Sequence, residues 1–133
     1  VAGAIADIVE DHLRRLFDRF RQEKGNVVLE KMSAGSSDGN KFLKYLKKGS
    51  RLTLGEMIFE IDDTRRLPGP QYPDLKAWLQ REACHLLKNW DPKRAARLND
   101  LRRSASHGGS ELSERDTIEL YDLGVWFINQ LYD

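Results

Sequence analysis

At 133 residues the chain has the length of one domain, enough to bury a single core and not two. Its 22 Lys plus Arg balance 21 Asp plus Glu to a formal charge of +1, which excludes a global pull toward polyanions, so any nucleic-acid binding has to come from a local patch. The lone Cys84 excludes an internal disulfide and fits a reducing, cytoplasmic setting, and no apolar run approaches the ~20 residues that span a bilayer, so no membrane contact is expected.

The chain begins Val1-Ala2-Gly3-Ala4 and reaches Asp7, Glu10 and Asp11 at once, which does not read as a signal peptide; a first residue other than Met suggests a segment excised from a larger protein. Ile5, Ile8, Val9, Leu13, Leu16, Phe17 and Phe20 follow the i, i+3, i+4, i+7 rule. Asp7, Glu10, Arg14, Arg15, Asp18 and Arg21 fill the other face, which predicts a long amphipathic first helix. Lys24-Gly25-Asn26 is the expected stop. Val27 to Met32 reads as a connector or an extra helical turn, and Ser33 to Gly39 as a loop by composition. A second helix carries Phe42, Leu43, Tyr45 and Leu46 inward and Lys41, Lys44, Lys47 and Lys48 outward. Thr53-Leu54-Gly55-Glu56 has the spacing of a capping box, starting a third helix with Leu54, Met57, Ile58 and Ile61 on its inner face.

Pro68, Pro70 and Pro73 break that pattern. From Asp74 it resumes through Leu75, Trp78, Leu79, Leu86 and Trp90, read as one helix. Asp91-Pro92 then supplies an N-cap and a first-turn proline for the next, lined by Ala95, Leu98, Leu101 and Ala105 and stopped at Gly108-Gly109. Ser113 caps a last helix whose expected inner stripe is Ile118, Tyr121, Val125, Ile128 and Leu131. The pattern predicts an all-α fold, a single antiparallel bundle of about five or six helices forming one domain over residues 1–133.

The chemistry concentrates in Leu101-Arg102-Arg103-Ser104-Ala105-Ser106-His107-Gly108-Gly109. An imidazole moves protons near neutral pH, and a guanidinium grips a phosphoryl oxygen pair through parallel hydrogen bonds. On a regular helix Arg102 and His107 would stand ~140° apart, but a helix unwinding before the glycine pair lets His107 swing back toward the arginine side. No metal or cofactor is expected, because Asp38 and Asp62-Asp63 sit in unrelated segments without ligand spacing.

Arg102, four intervening residues, then His107, followed by Gly108-Gly109 and a last helix opening at Ser113, resembles the signature of the HEPN superfamily of small helical domains. The resemblance covers residues 100–133 and the general helical layout. It implies a metal-independent endoribonuclease, or an RNA- or nucleotide-binding regulator, working as a homodimer or beside other domains of its parent in a defence or stress system. On that resemblance Arg102 and His107 are the catalytic pair, and Arg103, Lys47 and Lys48 hold neighbouring RNA phosphates. Arg103 stands where many members carry a polar uncharged residue, often Asn, and this favours binding over cleavage.

The same residues also suit plain structural roles. Cations at the C-terminal end of a helix meet its exposed carbonyls and the negative end of its dipole. Cys84 and His85 on one helix lack a third member, His85 and His12 read as packed residues, and Trp78, Trp90 and Trp126 as core. The alternative function is accordingly a non-catalytic dimerisation or docking domain.

Overall fold

The computed structural model describes residues 2–32, 40–106 and 112–132. All regular structure among them is helical: α1 (Ala2–Lys31), α2 (Lys41–Lys48), α3 (Leu54–Asp63), α4 (Pro73–Glu82), α5 (Cys84–Lys88), α6 (Pro92–Ser106) and α7 (Glu114–Tyr132). Among the described residues no helix is long and apolar enough to cross a membrane. The helices form two compact units, Leu13–Glu82 and Val1–His12 with Ala83–Asp133, so α1 contributes to both.

In the Leu13–Glu82 unit, α1 buries Leu13, Leu16, Phe17, Phe20 and Val28. Against them α2 turns in the four apolar residues expected of it and leaves its lysines exposed. The Phe42 ring lies 4.8 Å from that of Tyr72, and Phe20 meets Trp78 edge-on at 5.5 Å. Asn40 caps α2, its Oδ1 accepting from the Leu43 amide at 3.0 Å, and Gly49 ends it at φ 74°, a left-handed conformation suited to glycine. The capping box of α3 is present in both halves: the Glu56 amide donates to Thr53 Oγ1 and the Thr53 amide to Glu56 Oε1.

Two expected boundaries move. The helix does not stop at Gly25: α1 continues to Lys31 and brings Val28 into the core. Gly25 is buried within the helix, where a Cβ would make only ordinary van der Waals contact, 3.5 Å from Arg21 Cγ and 3.8 Å from Leu46 Cδ2. Burying Val28 stabilises by more than the ~1 kcal/mol a mid-helix glycine costs. The single helix expected from Asp74 to Trp90 is two, α4 and α5, separated at Ala83, whose φ and ψ of −143° and 50° are not helical. The interruption falls where the chain passes from one unit to the other, and α5 packs on α7.

In the other unit α6 buries Ala95, Leu98 and Leu101, as its spacing predicts. The inner face of α7 is not the predicted one. Leu120, Gly124 and Phe127 are buried, whereas Ile118, Tyr121 and Val125 are exposed. The cause is a close approach of α1: a Cβ at Gly124 would sit 2.4 Å from Ile5 Cγ1, so the glycine face is the one that fits. Gly124→Ala should therefore destabilise by about 1–3 kcal/mol through overpacking, although alanine is the better helix former by ~1 kcal/mol; urea unfolding reads the net sign.

Candidate functional site

Arg102 and Glu10 form the centre of the candidate site. Residues 6, 10, 13, 17 and 20 of α1 share one face, and Glu10 is thus carried into the interior with Ala6 and Leu13, only 4% of its surface exposed. Arg102 follows the buried Leu101 near the end of α6, and its Nη2 donates to Glu10 Oε1 at 2.9 Å. The Arg102 side chain is 22% exposed, and its Nε is buried with no hydrogen-bond partner among the described residues. A buried carboxylate thereby fixes the plane of the guanidinium while leaving donor capacity unspent.

A second arginine locks α6 to α7. Arg97 makes a bidentate pair with Glu119, Nε and Nη2 each 2.9 Å from a carboxylate oxygen, and approaches Asp116 at 3.4 Å. The hydrogen bonds from Arg97 hold the Glu119 carboxyl below its usual range. Arg94 lies over the half-buried Trp126 ring, 5.2 Å from its centroid.

Arg103 is exposed on the same helix as Arg102. His107, the proposed proton carrier, lies outside the described residues. Lys47 and Lys48 are exposed in the last turn of α2 and belong to the Leu13–Glu82 unit, whereas Arg102 and Arg103 belong to the other. Of the two remaining histidines, His12 hydrogen-bonds the Tyr132 hydroxyl through Nδ1, with the rings edge-on at 5.2 Å, and ties α1 to α7. His85, expected to be packed, is exposed beside an exposed Cys84, because α5 is a short helix that buries only Leu86.

Glu10 is the residue that sequence reasoning misses. Its charge suggests the solvent face, yet its spacing of four from Ala6 and three from Leu13 is that of the buried stripe. An acid on an apolar stripe is the signal, since it demands a cationic partner from another element. Comparisons with protein-family models, with curated proteins and with solved structures each return no match, so function is argued from the side chains themselves.

Proposed function

We propose that the chain is a HEPN-like module that engages RNA or a nucleotide at the C-terminal end of α6, as a regulator or as a metal-independent endoribonuclease. The observation that carries this reading is the held guanidinium of Arg102, oriented by the buried Glu10 while its side chain remains 22% exposed. A cation fixed before substrate arrives stabilises charge that develops on phosphoryl oxygens without reorganising during the reaction. In the endoribonuclease form of this reading His107 takes the proton from a ribose 2′-hydroxyl, the 2′-oxygen attacks the adjacent phosphorus, and the bond to the 5′-oxygen breaks as that oxygen gains a proton. The products are a cyclic phosphate and a 5′-hydroxyl. Arg103, exposed beside Arg102, holds a neighbouring phosphate and adds a salt-dependent term to affinity. Such an activity suits the output arm of a defence or stress system, with two protomers presenting their motifs to one RNA.

The decisive experiment is incubation of the protein with labelled single-stranded RNA in EDTA, beside His107→Ala and with native mass determination on both. We expect cleavage that falls at least about 100-fold in the variant, the scale of a lost general acid or base. Unchanged cleavage in His107→Ala would overturn the assignment.

A non-catalytic docking role is favoured by a different observation. Ile118, Tyr121, Val125 and Tyr132 leave an apolar stripe exposed along α7, with Tyr121 and Tyr132 exposed to 59% and 66%. Absence of both RNA binding and cleavage, together with an assembly that Tyr121→Glu dissociates, would establish that reading instead.

A further inference from the structure

A groove of about 540 Å³ runs along α7 in the unit formed by Val1–His12 and Ala83–Asp133. Its α7 side is made by Arg115, Ile118, Asp122 and Trp126, and Arg94 borders it from α6. Arg115, Ile118, Asp122 and Val125 follow one another at steps of three, four and three residues, so they share one face of the helix. Tyr121 stands beside them on the exposed apolar stripe.

The two charges on this face are not used within the chain. Arg115 and Asp122 are exposed, and neither has an ion pair or hydrogen bond among the described residues. Arg115 acts on Glu119 only at a distance, and that carboxylate is already held in a bidentate pair by Arg97. Seven residues separate Arg115 from Asp122, so one stands two helical turns beyond the other on the same flank of the stripe.

We propose that a second copy of this chain docks on this face about a two-fold axis level with Glu119, the two α7 helices antiparallel. That axis sets Arg115 opposite the partner's Asp122, Asp122 opposite the partner's Arg115, and Tyr121 beside the partner's Ile118. A parallel pairing would set each charge against its own copy, which repels, so the charges select the antiparallel one. Ion pairs at the rim supply orientation more than affinity. Affinity comes from Ile118, Tyr121 and Val125, and tyrosine is among the residues that most often anchor an interface. The proposal rests on the docking surface of α7 described above and names its partner; it uses no property of Arg102 or His107.

Sedimentation velocity of the whole chain, without RNA, tests this. The wild type should shift from monomer to dimer as its concentration rises to about 100 µM. Arg115→Asp and Asp122→Arg should each weaken the dimer at least about tenfold, because each reversal places like charges together twice. Their circular dichroism melts should match the wild type, since both residues are exposed. Mixed one to one, the two variants should form a dimer with one copy of each, because every acid then faces an arginine. A wild type that stays monomeric overturns the second copy as partner. A dimer that neither reversal weakens overturns the reciprocal pairing, even where Tyr121→Glu dissociates it. RNA cleavage by a chain that passes the mixing test would sink the non-catalytic docking reading while the interface stands, so the two failures are told apart.

Discussion

Arg102→Ala should lower the free energy of unfolding by about 3 kcal/mol, because it removes a cation from beside a carboxylate that has almost no access to water. The reciprocal change, Glu10→Ala, should cost less, about 1–2 kcal/mol, since the Arg102 side chain is 22% exposed and water can partly solvate the guanidinium left behind. Replacing both at once, as Glu10→Leu with Arg102→Met, removes the buried charge together with its partner and should recover much of the loss. Urea unfolding of the wild type, the two single replacements and the double one measures the coupling directly, and additive single effects would contradict a mutual pair. This bears on the nuclease assay. Loss of cleavage in Arg102→Ala would mix a missing phosphate ligand with a weakened α1–α6 contact, whereas His107→Ala is expected to leave stability within about 1 kcal/mol and isolates the chemistry. The Glu10/Arg102 geometry makes Arg102 the partner of a buried carboxylate and not a loose helix-end cation.

Much of the helical order was legible from periodicity alone. The inner faces of α2, α3 and α6 and the capping box at Thr53 agree with spacing, because each is a local pattern on one helix. What failed depended on partners. Gly25 reads as a stop from its own local sequence, and only the burial of Val28 beyond it shows why the helix runs on. The choice between the two apolar stripes of α7 was undecidable from hydropathy, since Ile118, Tyr121 and Val125 look as apolar as Leu120 and Phe127; the small Gly124 against Ile5 settles it. At Glu10 charge and spacing point to opposite faces, and spacing prevails because a cation from α6 meets the carboxylate. The carboxylate that holds Arg102 comes from 92 residues earlier in the chain, a separation no local pattern encodes.

Raising the pH from 4.5 to 7 should cost the fold up to about 3 kcal/mol through Glu60 alone. Glu60 is buried on α3, and its Oε1 has no hydrogen-bond partner among the described residues. Burial first, then the neighbouring carboxylates Asp63 and Glu56, push its carboxyl up to about 7. Burial, with Glu60 next in weight, also lifts the Tyr72 phenol to about 12. Below pH 4.5 both folded and unfolded chains carry the proton and the site is neutral in its effect. Between 4.5 and 7 the folded chain retains a proton that the unfolded chain releases, so stability falls as pH rises, by about 1.4 kcal/mol per pH unit at most. Above 7 the loss is complete. Other carboxylates contribute slopes of their own, and the informative quantity is therefore the difference between the wild type and Glu60→Gln, whose side chain cannot ionise. That difference should be near zero at pH 4 and should grow to as much as about 3 kcal/mol in favour of the variant by pH 8, read by urea unfolding at each pH. Parallel curves for the two proteins would mean that Glu60 titrates at its ordinary value and is solvated in the fold. A divergence would identify the acidic face of α3 as a place where the native sequence accepts lower stability at neutral pH, because a glutamine of nearly the same shape holds the fold better there.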